Sequence, residues 1–331
     1  MKNYTIAVVI PAYNAELYIC EALDSVIGQS RPPEQIIVVD DGSIDDTVAR
    51  VRSWQRENFP GLVLRQQSNR GVSAARNTAL RHAEADLVAF LDSDDLWLPH
   101  HLEQLEIAFK HHPELVICFG DALYFDAQQI IKTSSLVGSR IETVEYHEAK
   151  DGLRLLKGSA YASLVPGNYV SLSASLVSKE ALEKVGAFDE AIKSVEDRDL
   201  FLRLSAIGQF AYYPWVVAQK RLHDNNLTHP RNISEFNRYK LMVLQKMTDD
   251  ADAMKLSAMA KKQTRAALGQ QVWLMLFAEL RAGLGPFLEA LTYLIRHRQL
   301  ARVCNPNHFL RAFVFKYRAA KKRRTAQPRR E

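Results

Sequence analysis

A chain of 331 residues has room for one large domain with an appendage, and 47% apolar with 24% charged residues excludes a disordered or fibrous protein. The net charge of +5 belongs to the end of the chain: residues 311–331 hold nine Lys and Arg against one Glu, whereas the first 310 hold 34 basic against 37 acidic residues. A mildly acidic body argues against a surface built to grip duplex nucleic acid.

The first 120 residues alternate strand and helix signals. Ile6–Ile10 (IAVVI) is a short β-branched strand ended by Pro11. Glu16–Gln29 reads as a helix, with Leu17, Cys20, Leu23 and Ile27 at three- and four-residue steps. Ile36–Val39 is a second buried strand, and Asp41-Gly42-Ser43 turns the chain. Asp45 and Asp46 suit the first turn of the next helix, where carboxylates meet the positive end of the dipole. Leu62–Leu64 is a third strand, Ser73–Ala83 a helix, Leu87–Leu91 (LVAFL) a fourth strand, and Leu98, Leu102, Leu105 and Phe109 the stripe of another helix. Further strands are expected over Val116–Phe125, Val170–Val177 and Tyr212–Val217. From about Ser234 the pattern is helical, with Gly283, Gly285 and Pro286 dividing one long region in two. The fold expected is α/β, a mostly parallel Rossmann-like sheet flanked by helices, with a C-terminal helical extension. The boundaries expected are 1–230 for the catalytic domain, 231–310 for the extension and 311–331 for a basic tail too poor in apolar residues to order itself.

Cys20, Cys118 and Cys304 show no CxxC spacing, as a reducing compartment permits. The N-terminus has no signal-peptide pattern, and the longest charge-free apolar stretch, Ala266–Ala278, has 13 residues against the roughly 20 of a spanning helix. A cytoplasmic location is expected.

Ligands of an open parallel sheet sit beyond the carboxyl ends of its strands. Those ends are Pro11-Ala12-Tyr13-Asn14, Asp40-Asp41, Asn69-Arg70-Gly71 and Asp92-Ser93-Asp94-Asp95, so the crevice is rich in carboxylates and calls for a cation. Residues two apart in extended chain point the same way, so Asp92 and Asp94 can face one site. Hard oxygen ligands of this kind suit Mg²⁺ or Mn²⁺ bridging substrate phosphates. Acidic residues after a strand can also do no more than cap the next helix.

VVIPAYNAELYICEALDSVIGQ, VVDDGSIDDT, NRGVSAARNTAL, FLDSDDLW and the later GAFDE…SVEDRDLFLRL occur in the order and spacing of the family 2 glycosyltransferases. The resemblance covers about residues 5–228. It implies a GT-A fold and an inverting transfer of one sugar from a nucleoside diphosphate sugar, UDP- or dTDP-linked. The acceptor implied is a hydroxyl of a glycan or lipid-linked glycan in cell-envelope polysaccharide synthesis. Pro11, Tyr13 and Asp41 would hold base and ribose, Arg76 would lie near base or phosphates, and Asp92 would contact ribose or metal. Asp94 would ligate the metal, Asp197 would be the general base with Glu196 beside it against substrate, and His223, in RLHDNNLT, would sit near metal or diphosphate.

Each assignment has a physical rationale and a plainer rival. A pyrimidine N3–H can be read by the Asp41 carboxylate, and Tyr13 can stack on a ring or merely pack. Arg76 can instead pair with a structural carboxylate such as Asp41. Asp199 rivals Asp197 as base, and Arg203 pairs with one of them. The His-rich stretch with His100, His101, His111 and His112 fits a helix face and is assigned no function. No Trp follows an Arg as in the QxxRW motif of processive synthases, which favours single-sugar transfer.

Two other classes fit parts of the pattern. A nucleotidyltransferase resembles this chain in being α/β and metal-dependent, but PAYNAE after the first strand lacks its Gly and Lys. A non-catalytic nucleotide-sugar-binding protein is the other reading. The apolar helices and the basic C-terminus also suggest peripheral contact with an anionic membrane leaflet, at about 1 kcal/mol per basic residue near the surface.

Overall fold

A computed structural model describes residues 2–224 and 233–296 of the chain, which divides into two compact units, residues 1–226 and 227–331. The basic tail 311–331, residues 297–310 and the segment 225–232 lie outside the described residues.

The first unit opens with strands and helices in alternation: β1 (Ile6–Ala12), α1 (Ile19–Ile27), β2 (Gln35–Asp40), α2 (Thr47–Asn58), β3 (Val63–Gln66), α3 (Val72–His82) and β4 (Leu87–Phe90). There follow β5 (Leu96–Trp97), α4 (His101–His111), β6 (Leu115–Phe125), β7 (Ile130–Lys132), β8 (Tyr146–Glu148), β9 (Arg154–Leu156) and α5 (Tyr161–Leu164). The unit closes with β10 (Ser175–Ser178), α6 (Lys179–Val185), α7 (Glu196–Ser205) and β11 (Gln209–Arg221).

All the strands join one sheet, whose main path runs β3-β2-β1-β4-β10-β6-β11-β9-β8. The β3-β2-β1-β4 half is wholly parallel, and β6 and β11 also pair in parallel. Antiparallel β10 joins β4 to β6, making the sheet mixed. The parallel half reads as unbroken apolar runs because both of its faces are covered. Ile6, Val8 and Ile10 of β1 lie in one core with Leu23 and Val26 of α1 and Leu102 and Phe109 of α4. The alternate residues face the other way, where Phe90 meets Phe188 edge-on at 5.4 Å.

The sequence expectations and the elements differ at several edges. Residues 16–18 precede α1, and Leu98 precedes α4. Only the second half of Val170–Val177 is a strand, because Leu172–Ala174 forms a 3₁₀ turn that carries Ser173 into the crevice. The short β5, β7, β8 and β9 have no counterpart in the sequence pattern; three residues or fewer carry no periodicity to read.

Across the centre of the sheet Gly120 lies against Val217. A Cβ there would meet Val217 Cγ1 at 2.8 Å and Cγ2 closer still. Both residues are held in the paired strands β6 and β11, so neither can withdraw. Gly120→Ala should therefore lower the unfolding free energy by about 1–3 kcal/mol in urea titration, the usual cost of overpacking.

The second unit consists of α8 (Ile233–Asp249), α9 (Ala258–Ala282) and α10 (Leu284–Arg296). Gly283, at φ 131°, divides the last two, at the break read from the sequence. Leu241, Leu244 and Met247 of α8 and Leu268, Val272 and Met275 of α9 form its apolar interior, with Gln271 Nε2 3.2 Å from Asn237 Oδ1. Among the described residues no helix is long and apolar enough to cross a membrane.

Candidate active site

The crevice is assembled from the carboxyl ends of β1, β2 and β4, the start of α7 and the end of β11. After β1, Pro11 is buried and Tyr13 is half exposed at the rim. Asn14 ties this loop to the turn after β2: its N–H donates to Ser43 Oγ at 2.9 Å, and its Oδ1 accepts from the Ile44 N–H at 3.0 Å. That turn needs Gly42, whose φ is +80° and whose Cβ would stand 2.8 Å from the Asn69 nitrogen.

Asp41 is buried and organises the loop that leads into α3. Its Oδ1 accepts from Gln67 Nε2 at 2.7 Å and the Arg70 N–H at 2.9 Å, and its Oδ2 from the Gly71 N–H at 2.7 Å. These bonds leave room for one more donor on Oδ2, since a carboxylate oxygen offers two lone pairs.

Arg76 of α3 lies at the centre of the site. Its Nη2 donates to Asp92 Oδ1 and its Nη1 to Glu196 Oε1, both at 2.6 Å, while its fork lies over the Phe188 ring. The partners of Arg76 are therefore Asp92 and Glu196, and Asp41 is engaged elsewhere. One guanidinium joins the Asp92-Ser93-Asp94 loop to the start of α7. Burial works against the charge of Asp92, but Arg76 and then Lys220 outweigh it and hold its carboxyl below the usual range.

Asp94 Oδ2 lies 2.8 Å from His223 Nε2, and the His223 ring stacks on Tyr18 at 5.1 Å. Arg221 fastens the end of β11 over this loop: its Nε donates to the Asp94 carbonyl at 3.1 Å and its Nη2 to Glu21 Oε2 at 2.6 Å. Its guanidinium lies over the rings of Tyr18 and Phe125. Asp95 is buried and accepts from Ser173 Oγ at 2.7 Å and the Arg221 N–H at 3.1 Å; burial pushes its carboxyl up to about 7.

Glu196 and Asp197 open α7 next to Val195, which holds φ 60°. A β-branched residue in left-handed backbone stores strain, typically about 1–3 kcal/mol, at the turn that presents the two carboxylates. Asp197 Oδ1 accepts from the Arg198 N–H at 2.7 Å and Oδ2 from Asn168 Nδ2 at 2.9 Å. Burial and then the neighbouring Glu196 push Asp197 up to about 6. Asp199 is fully buried, and Arg203 grips its Oδ2 through Nε at 2.9 Å and Nη2 at 2.6 Å. Of the two rivals read from the sequence, Asp199 is sealed under Arg203, whereas Asp197 is partly exposed.

Sequence reasoning missed Asn168, Ser173 and Lys220. Asn168 and Ser173 have no chemistry-bearing neighbours in sequence, and Lys220 was passed over beside His223; the turn before β10 and the pairing of the end of β11 with β6 bring Ser173 and Lys220 to the carboxylates. Three of the histidines given no role make contacts away from the crevice. Buried His101 stacks on Trp97 at 4.3 Å, and His100 and His112 pair with Glu103 and Glu114.

A divalent cation is implied by the acidic loop, and among the described residues no three Asp, Glu, His or Cys side chains converge to cage one. Asp94 and His223 nevertheless suit adjacent ligands, because two ligand atoms on an octahedral ion with bonds of about 2.1 Å lie about 3 Å apart. The remaining positions would fall to water and to substrate phosphates, as Mg²⁺ prefers. Asp92 Oδ1 is engaged by Arg76.

Residues 7–161 match the sequence profile described as Glycosyl transferase family 2. The chain carries a family 2 glycosyltransferase domain. The domain is 32% identical over 138 residues to the Escherichia coli protein named UDP-Glc:alpha-D-GlcNAc-diphosphoundecaprenol beta-1,3-glucosyltransferase WfgD, a match covering 42% of this chain and 51% of that one. It is 41% identical over 106 residues to the putative teichuronic acid biosynthesis glycosyltransferase TuaG of Bacillus subtilis, covering 32% of this chain and 42% of that one. Escherichia coli chondroitin synthase matches 72% of this chain at 25% identity, over 32% of its own length. The chain thus spans between about a third and two thirds of the length of these and similar curated relatives. The fold resembles the crystal structure of S. aureus TarS 1-349 in complex with UDP-GlcNAc. The TM-score is 0.63 at 18% identity, over 88% of this chain and 81% of that one.

Proposed function

We propose that this chain is an inverting glycosyltransferase that moves one sugar from a UDP- or dTDP-linked donor to a hydroxyl of a glycan or lipid-linked glycan acceptor. The observation that carries this reading is the bridge from Asp92 through Arg76 to Glu196, which sets the general-base candidate Asp197 beside a family 2 acidic loop. The TarS structure is a complex with UDP-GlcNAc, which supports the donor class, and WfgD is named for a diphosphoundecaprenol-linked acceptor, which supports the acceptor class.

The residues divide the work. Tyr13, Pro11 and the Asp41 loop receive the nucleoside, with Asp41 Oδ2 placed to accept a pyrimidine N–H. Asp197 takes the acceptor's proton as its oxygen attacks the anomeric carbon from the face opposite the leaving diphosphate. Asn168 and the Arg198 N–H fix the carboxylate's direction. Asp94 and His223 would hold Mg²⁺ or Mn²⁺, which when bound neutralises charge on the diphosphate. Peripheral contact with an anionic membrane leaflet through residues 311–331 belongs to the same reading, because lipid-linked acceptors lie at that surface.

The decisive measurement is release of UDP or dTDP from a panel of nucleotide sugars, with Mn²⁺ and then with a chelator. One sugar nucleotide should be turned over slowly even without acceptor, and chelation should suppress it at least tenfold. A panel in which no sugar nucleotide binds or reacts would overturn the reading, and undiminished turnover under chelator would overturn the metal.

A further inference from the structure

Among the described residues three Arg and Lys side chains surround the acidic loop, and the protein itself uses up two of them. Arg76 is spent on Asp92 and Glu196, and Arg221 on Glu21, the Asp94 carbonyl and two aromatic faces. Lys220, the penultimate residue of β11, is different. Its ammonium stands 3.6 Å from Asp95 Oδ2 and 4.0 Å from Asp92 Oδ2, and among the described residues it makes no hydrogen bond. Its side chain is 27% exposed, so it is neither solvated like a surface lysine nor sealed in the core. Asp95 and Asp92 hold it in place by charge without a hydrogen bond. A charged ammonium with its donors unspent, held in the crevice by carboxylates just beyond bonding distance, is arranged to receive an anion.

We propose that Lys220 is a donor-binding and catalytic residue that grips the diphosphate of the nucleotide sugar and stabilises it as the leaving group. The proposal rests on the transferase reading above, and it adds a fixed protein cation to the machinery that reading names. In the transfer step the acceptor O–H oxygen forms a bond to the anomeric carbon. The bond from that carbon to the β-phosphate oxygen breaks, and its electron pair leaves with the phosphate. The acceptor proton passes to Asp197. Lys220 N–H groups donate to the phosphate oxygens on which the charge collects, an interaction that strengthens as the bond breaks. Lysine suits this task as a compact point charge with three rotatable donors.

The test is calorimetric titration of the full chain with UDP and with uridine, in one Mn²⁺ buffer, for wild type, Lys220→Met and Lys220→Arg. Lys220→Met should weaken UDP by at least about tenfold, the worth of a charge-assisted hydrogen bond, and leave uridine within about twofold. Lys220→Arg should restore part of the difference. Equal loss of both ligands would assign Lys220 to shaping the acidic loop, and unchanged UDP affinity would dismiss it from the site; either overturns the proposal. A wild type that binds no UDP, and no other nucleoside diphosphate, would instead sink the transferase reading on which it stands. Should Lys220→Met fail to fold, Lys220→Gln, uncharged but polar, takes its place in the same titrations. UDP should again weaken by at least about tenfold with uridine unchanged, and equal affinities of wild type and Lys220→Gln for UDP would refute the assignment.

Discussion

Asp197→Asn is expected to lower the transfer rate by about 10²–10⁴ while donor affinity changes less than threefold. The amide keeps the shape of the carboxylate and can still accept the Arg198 N–H, so the start of α7 should hold its geometry. What it loses is the capacity to take a proton. The pH profile of the wild type carries the same assignment. Burial and Glu196 place Asp197 at about 6, well above an ordinary aspartate. A base works only when deprotonated, so kcat/KM should climb tenfold per pH unit below about 6 and level off above it. Asn168→Ala removes a donor that favours the charged form, so its rising limb should move to higher pH. Wild-type turnover by Asp197→Asn, or a flat profile from pH 5 to 8, would show that another group takes the proton.

The sequence made the parallel half of this fold legible because physics writes it twice there. Strands buried on both faces appear as continuous apolar runs, and their ends as abrupt polar clusters. Pro11, Asp41, Asp92 and Asp94 could be picked out on that basis before any resemblance was invoked. The rest of the crevice is written more faintly. Asp197 sits in a run of four charged residues whose default reading is a solvated helix start, and only the fold separates it from Asp199, which Arg203 claims. Asn168 had no local signal, and Lys220 had only its place beside the segment that holds His223. Their places depend on the contact of Asn168 with Asp197 and on the pairing of β11 with β6 after its mid-strand register shifts, features set by packing between elements far apart in sequence. Arg76 lies between the two cases: its importance was readable, but its partners stand 16 and 120 residues away.

Those partners make Arg76→Met the substitution with the largest expected effect on stability. The guanidinium is 4% exposed, and the carboxylates it joins are 29% and 9% exposed, so Glu196 above all is left with little water to replace it. Removing one member of a buried charge network strands the others, which typically costs about 3–5 kcal/mol. Urea unfolding of the catalytic unit should show a loss of that order. Arg76→Lys should recover less than half of it, because a single ammonium cannot reach two carboxylates that an Arg fork grips from separate nitrogens. Arg76→Met combined with Glu196→Gln should be more stable than Arg76→Met alone, since the second change removes the stranded charge; such non-additivity is the mark of a network. The same single variant should lose transfer activity, because Asp92 and Glu196 would no longer be held in one frame. A loss below about 1 kcal/mol for Arg76→Met would mean that water enters the crevice freely, and that the bridge positions the two loops without stabilising the fold.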